Sequence, residues 1–457
     1  MTLPQLAKLF ADAGCVSLYA KQLAENDNSK NQVYFAGAVE ALNVFPSVEI
    51  YAENTKKGPS FKARLDYSWL LEDGRTAPAP QAQLILYSQY PEVRFSGFLS
   101  GCKHAPSKLM MDRERAKSAL ASDREKLRDR VLFMAVTSDR KVLGHVVAGN
   151  SEIAREFRER NFPQAFVVFR EIPLPSIPKE SDTKYALLQE LHRIHELGWI
   201  KSKQLDSAGI IKPCNAPQCG GFTLEAELRI PKNSDAEPDY MGWEVKQHKV
   251  SNFLRPESGG AITLMTPEPT QGLYREKGAE EFVRQYGYAD MNGVPDRLNF
   301  GGVHYAGIPH LNTGLTMMVH GYDFASHKII DAEGAIRLID NNGNIAAAWP
   351  FAGLLSHWSR KHSKAVYVPS LSRKLPDLQY SYGNLVRLAQ RTDSLKLLKA
   401  LASGHVFYDP GIKLEDASTK PRIKKRSQFR IKSNNISCLY EIVETFDVSA
   451  AKASLLS

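Results

Sequence analysis

The sequence predicts a protein of the α/β (α+β) class with two domains. Its 457 residues exceed the usual size of a single domain. The 43% hydrophobic and 24% charged residues are enough for a sizeable core. Strand-like and helix-like patterns follow one another along the chain until a stretch with three prolines in six residues, which favours extended backbone. We therefore predict a separate N-terminal α+β domain over 1–172, a linker over 173–181 and a second domain over 182–457.

Alternating apolar residues and short apolar runs predict the elements of the N-terminal domain. They are a helix near Leu3–Ala13, strands at Phe61–Trp69, Gln83–Tyr87 and Val93–Leu99, a charged helix over Ser107–Arg130, and strands at Val131–Val136 and Ala165–Phe169. The basic residues of Ser107–Arg130 alternate with acidic ones, which indicates a solvated, salt-bridged helix more than a DNA-binding one.

The same patterns predict the elements of the second domain. The helices are Tyr185–Leu197, Phe222–Leu228 after Gly220-Gly221, Pro350–Ser359 and Leu385–Ala402. The strands are Trp243–Gln247, Ala261–Thr266, Leu315–Tyr322, Ala335–Ile339, Ala365–Pro369, Val406–Tyr408 and Gln428–Lys432, and Ser437–Glu444 closes the chain. Asp340–Asn344 contains Asn-Gly and predicts a hairpin turn.

Net charge, cysteine count and hydropathy limit the classes of partner and the cellular compartment that we expect. The net charge of +9 favours a polyanionic partner, and Lys420–Lys432 carries seven basic residues and no acidic one. Five scattered cysteines argue against a disulfide framework and for a reducing compartment. With no apolar run of ~20 residues and no signal-peptide pattern at the N-terminus, we expect a cytoplasmic protein with no membrane partner.

The segment Pro238–Lys246 has the pattern of a metal site beside an ammonium group. On a strand, Glu244 and Lys246 point to one face, whereas Val245 points into the core. Asp239 lies just before a turn and can share a cation with Glu244. Two carboxylates suit Mg²⁺, which keeps several waters and accepts phosphate oxygens. Water activation beside a lysine is the chemistry of phosphodiester hydrolysis.

An ordered set of motifs around this segment resembles a known family. The set runs through Leu197–Lys203, Ala208–Lys212, Gly221–Leu228, Pro238–Lys246, Ile262–Thr266 and Gln428–Ile431. It is similar to the MvaI/BcnI-type restriction endonucleases, and more distantly to the MutH nicking enzyme, of the PD-(D/E)xK superfamily. The resemblance spans about 190–445 and implies a nuclease core of mixed sheet flanked by helices. Residues 1–172, the insertion Cys214–Cys219 and the loops between Glu268 and Leu315 depart from it.

The resemblance implies a site with residue roles. Asp239, Glu244 and the Val245 carbonyl bind Mg²⁺, for which Mn²⁺ can substitute, and Lys246 holds the attacking water. Glu225, on the predicted helix after Gly220-Gly221, serves as a second metal ligand or as an orienting group outside the ligand shell; Glu227 is the rival carboxylate. The candidate DNA contacts are Gln247, His248, Arg422, Lys424, Lys425, Arg426 and Arg430.

These residues predict a Mg²⁺-dependent endonuclease that cuts double-stranded DNA at a specific site in restriction or phage defence. We expect it to act as a monomer on DNA and to have a DNA methyltransferase as genetic partner. A strand-specific nicking enzyme for repair or modified-DNA surveillance and a non-catalytic DNA-binding scaffold remain alternatives. His192 and His195 with Cys214 and Cys219 suggest zinc only weakly, because their spacing is loose. The basic run could also be a solvated loop, and residues 1–172 have no role implied by the resemblance.

Overall fold

The chain forms two compact units in a computed structural model, Met1–Lys179 and Glu180–Ser457. The structure describes all residues except 25–30, 36–40, 57, 91, 112–124, 167, 176–179, 232–237 and 451–457. The boundary after Lys179 falls inside the range 173–181. Because of the undescribed residues, most of the charged helix predicted over Ser107–Arg130 and four residues of that range lie outside the described part.

The N-terminal unit contains both helices and strands. The helices are α1 (Leu3–Asp12), α2 (Ala41–Val44) and α3 (Glu152–Glu159). The strands are β1 (Cys15–Gln22), β2 (Val33–Tyr34), β3 (Ser47–Thr55), β4 (Gly58–Leu65), β5 (Tyr67–Leu70), β6 (Thr76–Pro78), β7 (Gln83–Tyr87), β8 (Glu92–Ser96), β9 (Val131–Thr137), β10 (Val142–Val147), β11 (Gln164–Phe166) and β12 (Phe169–Glu171).

Two sheets organise the N-terminal unit. One has the order β11-β12-β1-β9-β10-β5-β6, and the other has the order β2-β8-β7-β4-β3. Helices α1 and α3 bury an apolar face against the first sheet, through residues such as Phe10 and Phe157 packed with Phe133. Thr2 and Ser151 cap these two helices by accepting hydrogen bonds from main-chain amides of the first turn. The predicted α+β character of this unit is confirmed.

The second unit begins with a long helix. The helices are α4 (Glu180–Glu196), α5 (Cys219–Glu227), α6 (Leu273–Tyr286), α7 (Phe351–Lys361) and α8 (Ser394–Ala402). The strands are β13 (Ile200–Lys201), β14 (Lys203–Leu205), β15 (Ile211–Pro213), β16 (Glu244–Lys249), β17 (Ala261–Met265), β18 (Tyr288–Ala289), β19 (Leu298–Gly301), β20 (Thr316–His320), β21 (Tyr322–Asp323), β22 (Lys328–Ile329), β23 (Ala335–Ile339), β24 (Ile345–Pro350), β25 (Lys364–Arg373), β26 (Gln379–Tyr382), β27 (Leu385–Gln390), β28 (Val406–Tyr408), β29 (Gly411–Glu415), β30 (Arg422–Lys424), β31 (Phe429–Lys432) and β32 (Ile442–Asp447).

A mixed sheet forms the centre of the second unit. Its strands have the order β13-β26-β25-β27-β32, and β16 adds to β25 in parallel while the other pairs are antiparallel. Helices α4 and α5 cover one face, where Leu191 and Leu224 pack with Val245, Val366 and Leu388. The predicted nuclease core of mixed sheet flanked by helices is confirmed. Smaller antiparallel sheets, including β17-β31-β28 and β18-β19-β29-β30, surround it.

Several predicted elements are wrong in extent or type. Leu385–Gln390 is a strand rather than the start of a helix, and only Ser394–Ala402 is helical. Its side chains read as helix-forming, but Val386 and Leu388 are fully buried between β25 and β32, and sheet pairing overrides the local preference. The single strand predicted over Phe61–Trp69 ends at Leu65, and β5 continues into the other sheet.

Two of the five cysteines depart from the expectation that the chain has no disulfide framework. Cys214 and Cys219 form a disulfide, whereas Cys15, Cys102 and Cys438 are free. Both bonded cysteines are buried in the hydrophobic cluster under the central sheet. An odd and scattered cysteine count does not detect a pair separated by five residues that the fold brings together. No helix in the described part of the chain is both long and apolar enough to span a membrane.

Candidate active site

A two-residue turn brings Asp239 back onto the strand that follows it. Tyr240 and Trp243 exchange main-chain hydrogen bonds of 2.9 and 2.8 Å across Met241-Gly242. Both turn residues have positive φ, 46° at Met241 and 86° at Gly242, and glycine adopts that conformation without a steric penalty. Asp239 Oδ2 then accepts a hydrogen bond of 3.0 Å from the Val245 amide.

Strand alternation divides β16 between the site and the core, as predicted. Trp243 is fully buried and Val245 is nearly so, both in the cluster beneath α4 and α5. Glu244 and Lys246 share the opposite face. The Lys246 ammonium donates a hydrogen bond to Glu244 Oε1, and the Glu244 side chain is only 1% exposed.

Glu244 has one carboxylate oxygen without a partner. Its Oε1 lies beside Lys246 Nζ and 3.9 Å from Lys361 Nζ, while Oε2 is buried and has no hydrogen-bond partner in the described part of the chain. A buried carboxylate oxygen without a donor is costly. Burial raises the pKa of Glu244, and the ammonium of Lys246 opposes that shift. The orphan oxygen is therefore a ready position for a cation.

Helix α5 adds a third carboxylate. Burial, and then the charge of Asp239, raise the pKa of Glu225 to about 7, and Glu244 also contributes to the increase. The rival Glu227 is directed elsewhere, since it pairs with Lys203 at 2.5 Å and Arg193 at 3.5 Å. The structure thus brings Glu225 to Asp239 and Glu244 and leaves Glu227 outside the cluster.

Two ammonium groups offset part of the negative charge of the three carboxylates. Burial alone lowers the pKa of Lys246, but the charges of Glu244 and Asp239 outweigh burial and raise it. The second ammonium is Lys361, the last residue of α7, whose charge opposes the pKa increases of Glu225 and Glu244. Sequence reasoning missed Lys361, because no spacing rule connects it with β16. The only signal is its place just before β25, the strand that pairs with β16.

The donor set fits a hard cation such as Mg²⁺, although with few protein ligands. Among the described residues, no group of three or more His, Cys, Asp and Glu side chains is arranged to hold a metal ion. Asp239, Glu244 and the Val245 carbonyl remain as candidates, which suits a cation that keeps most of its waters. The orphan oxygen of Glu244 supports this fit. The absence of a three-residue ligand group among the described residues favours Glu225 as an orienting group outside the ligand shell.

The candidate DNA contacts on β16 are less available than the sequence suggested. His248 is buried, and its Nε2 lies 2.9 Å from the Pro256 carbonyl oxygen, so a DNA contact from this side chain is not supported. Burial lowers the pKa of His248 to about 4. Gln247 is half-buried and donates a hydrogen bond of 2.5 Å to Ser370 Oγ. Both side chains therefore contribute to the core of the unit.

Most of the predicted basic DNA contacts have acidic partners. Arg422 pairs with Asp416, Lys424 with Glu415, and Lys425 lies 3.8 Å from Glu268. Arg430 is directed inward and donates to Asp409 and to the Ala261 carbonyl. Arg426 is exposed and forms no ion pair within the described ranges. The run is thus a largely neutralised surface, with Arg426 as its available guanidinium.

The weak zinc reading is not supported. Cys214 and Cys219 are bonded to each other, so their thiolates are not available as ligands. His195 Nδ1 lies 2.8 Å from the Tyr382 carbonyl oxygen.

A family model identifies the second unit. The model of the MvaI/BcnI restriction endonuclease family matches residues 188–440, more than half of the chain. The chain belongs to this family. The resemblance inferred from the motifs is confirmed, and with it the assignment as a restriction endonuclease, a hydrolase with a DNA endonuclease role. The match begins after the N-terminal unit and includes none of it.

The MvaI/BcnI family is also represented among similar solved structures. One is the restriction endonuclease MvaI in complex with its cognate DNA substrate, with 17% identity and a TM-score of 0.44 over 59% of this chain and 99% of that chain. Another is MvaI in the absence of DNA, with 17% identity and a TM-score of 0.33 over 59% of this chain and 100% of that chain. No curated protein matches the chain.

Proposed function

We propose that the second unit is a Mg²⁺-dependent endonuclease that cuts double-stranded DNA at a specific sequence, in restriction or phage defence. The observation that carries the metal dependence is the buried, unpartnered Glu244 Oε2 beside Asp239, Glu225 and two lysines. Family membership supports DNA as the substrate. A solved MvaI complex contains cognate DNA, which agrees with this substrate class.

The charges of the cluster suit a phosphodiester. Glu225, Asp239 and Glu244 carry three negative charges when ionised, and Lys246 and Lys361 carry two positive ones. A bound divalent cation supplies charge neutralisation at the phosphate and activates water for attack. With that cation the cluster carries one net positive charge, and one scissile phosphate neutralises it. Without the cation, the cluster is negative and repels DNA.

Each side chain then has a defined task. Asp239, Glu244 and the Val245 carbonyl hold the cation. Lys246 holds the attacking water and favours its deprotonated form electrostatically. Lys361 adds positive charge where negative charge develops on the phosphate. Glu225 orients these groups from outside the ligand shell.

The biological setting follows as part of the same proposal. The single catalytic cluster in the described part of the chain suits a monomer that cuts the two strands in turn, with Mn²⁺ as a substitute for Mg²⁺. We propose a cytoplasmic enzyme whose gene has a DNA methyltransferase gene as a neighbour, because a sequence-specific nuclease must spare its own genome. Arg426 is the leading candidate for a phosphate contact in the basic run.

Digestion of a bacteriophage genome by the purified full chain tests the proposal. With Mg²⁺, sequencing of the cut ends is expected to reveal one recurrent site, and Asp239→Ala and Lys246→Ala are expected to bind DNA without cutting. Glu227→Gln is the matched control, because Glu227 lies on α5 with Glu225 but points away from the cluster. Normal cleavage by both alanine variants would rule the mechanism out.

A supercoiled plasmid that carries the mapped site separates the alternatives. Linear product supports the proposed double-strand cleavage. Open circles that persist without linear product indicate a nicking enzyme. Binding in Ca²⁺ with no cleavage of any DNA in Mg²⁺ or Mn²⁺ indicates a non-catalytic scaffold.

A further inference from the structure

The start of helix α5 is fixed by two bonds that involve no side chain of the catalytic cluster. Cys219, its first residue, is bonded to Cys214. Gly220, its second residue, accepts through its carbonyl oxygen a hydrogen bond of 2.7 Å from the Tyr382 hydroxyl on β26. Tyr382 is 1% exposed, so this bond is shielded from water.

Among the described residues, no side chain caps the start of this helix. The residue before α5, Gln218, has a helical main-chain conformation and makes no capping hydrogen bond with its side chain. The amides of Cys219 and Gly221 donate instead to the main-chain carbonyls of Ala216 and Gln218, at 3.1 and 3.0 Å. Two glycines, Gly220 and Gly221, also lower the intrinsic preference for helix in the first turn. The disulfide and the tyrosine therefore add tertiary anchors to a first turn whose sequence has weak signals for helix initiation.

Close packing explains why glycine occupies position 220. A Cβ atom at this position would lie 2.8 Å from Gln247 Oε1 and 3.1 Å from Tyr380 Cε1. Gln247 is on β16, the strand that carries Glu244 and Lys246. The first turn of α5 is thus seated directly on the catalytic strand, and a shift of that turn changes the distance between Glu225 and Glu244.

A third connection holds the middle of the helix. The Thr223 hydroxyl donates to the Lys203 carbonyl, and the Lys203 amide donates to the Thr223 hydroxyl oxygen, both at 3.1 Å. Glu225 follows two residues later, within the same short helix of nine residues. A nine-residue helix with a glycine-rich start is marginal without tertiary contacts. The orientation of Glu225 consequently depends on tertiary contacts, which include those of the first turn as well as the Thr223–Lys203 pair.

We propose that the Cys214–Cys219 disulfide and the Tyr382 hydroxyl act together as positioning groups for Glu225. They touch neither substrate nor cation; they act by holding the first turn of α5 on β16. The inference rests on the proposed role of this cluster in DNA cleavage. The disulfide also makes the activity sensitive to dithiol reductants, which break the S–S bond and leave two thiols while the reductant becomes a disulfide. Because the cytoplasm is reducing, the fraction of enzyme that keeps this bond would set its activity there.

Hydrogen exchange of the full chain tests the positioning without reference to activity. Tyr382→Phe, Cys214→Ser/Cys219→Ser and wild type treated with dithiothreitol are compared by mass spectrometry. We expect faster exchange confined to peptides that cover Cys219–Glu227. Tyr380→Phe is the matched control, since it removes a neighbouring hydroxyl from the same strand and keeps the Tyr382–Gly220 bond. Unchanged exchange in Cys219–Glu227, or a loss of protection across the whole unit, would overturn the proposal.

Single-turnover cleavage of a duplex with the mapped site tests the functional consequence. We expect Tyr382→Phe to lower the cleavage rate about 10-fold and the double serine variant about 100-fold, because misplacement by about 1 Å costs roughly 100-fold. DNA affinity in Ca²⁺ is expected to stay within about twofold of wild type, because neither group contacts DNA in this proposal. Dithiothreitol is expected to slow wild type and to leave the double serine variant unchanged.

The decisive comparison uses Glu225→Gln as background. If Tyr382 acts through Glu225, then Tyr382→Phe causes no further loss of rate in Glu225→Gln. An added loss of 10-fold there would assign Tyr382 a general structural role and overturn the proposal. Absence of wild-type cleavage in Mg²⁺ and Mn²⁺ would instead refute the proposed function, whereas the exchange experiment would still decide whether these bonds hold α5.

Discussion

Two charged regions of the second unit differ in how the fold treats their charges. In the cluster around Glu244, three carboxylates and two ammoniums are largely buried, and one carboxylate oxygen has no partner among the described residues. In the basic run Lys420–Lys432, most cations are exposed or half-buried and have an acidic neighbour. The run has more charged residues per length of sequence. The cluster, however, contains the buried charged group whose hydrogen bonding is incomplete.

The difference indicates where binding energy is available. Exposed ion pairs contribute about 0–1 kcal/mol, because water and salt screen them. A buried carboxylate oxygen without a donor has lost its hydration, and a bound cation would stabilise it strongly. The cluster is therefore organised for chemistry. The basic run acts mainly through whichever cations remain unpaired, such as Arg426.

The largest expected effect is loss of cleavage when the cluster loses Lys246 or Asp239. Lys246→Ala and Asp239→Ala are each expected to lower the single-turnover rate by more than about 10³-fold, with DNA binding in Ca²⁺ largely retained. Quantitation of product over hours at enzyme excess provides the measurement. Glu227→Gln should cut like wild type; an equal loss in that control would remove the distinction between the cluster and its surroundings.

Replacement of Lys361 by methionine is expected to have the next largest effect. The substitution keeps most of the side-chain volume and removes the charge 3.9 Å from Glu244 Oε1. We expect a rate loss of about 10²-fold, as for removal of one group that stabilises developing charge. Lys399→Met, on the exposed side of α8, is the control. A Lys361→Met enzyme with wild-type rate would exclude Lys361 from the mechanism.

A pH dependence of stability is expected from Glu225. Its pKa is about 7 in the folded protein and near 4.5 when unfolded, so the folded state holds the proton more tightly. The stability from that proton is complete below pH ~4.5 and is lost as the pH rises through ~7, by about 1–3 kcal/mol. Urea unfolding of metal-free protein between pH 5 and 8 measures it. Glu225→Gln should flatten the plot of unfolding free energy against pH. Parallel plots for wild type and variant would show that folding does not raise the pKa of Glu225.

Charge removal in the basic run is expected to have the smallest effect. Arg426→Ala should weaken DNA binding and reduce the slope of log affinity against log salt by about 1, as for one phosphate contact. Lys424→Ala, which removes a cation paired with Glu415, should change the slope less. Titration at several salt concentrations measures both. Equal slopes for the two variants would mean that pairing with acids does not decide which cations reach DNA.

Local patterns were enough to predict the centre of the site. The alternation of Trp243–Lys246, with Trp243 and Val245 in the core and Glu244 and Lys246 opposite, is confirmed because strand geometry fixes it residue by residue. The turn before it depends only on the positive φ angles of Met241 and Gly242. The motif order also led to the MvaI/BcnI family, which the family model confirms. The nuclease core of mixed sheet and helices followed from that family.

Long-range contacts decided the remainder. The sequence left Glu225 and Glu227 as rivals, and the ion pairs of Glu227 with Arg193 and Lys203 resolved the choice. Lys361 joined the cluster only because β25 pairs with β16. Leu385–Gln390 became a strand because neighbouring strands satisfy its backbone. The disulfide and the paired basic run also depend on residues that the fold brings together.

The sequence by itself determined the chemistry of Pro238–Lys246, the family, and the presence of a separate N-terminal unit. The motif chemistry depends on neighbouring residues, whose spacing the backbone geometry fixes, and the family depends on the order of such motifs along the chain. The tertiary structure decided which carboxylate joins the site, which lysine balances it and which surface cations remain unpaired. These depend on distances and burial between segments far apart in the chain, because electrostatic and hydrogen-bond energies change steeply with both.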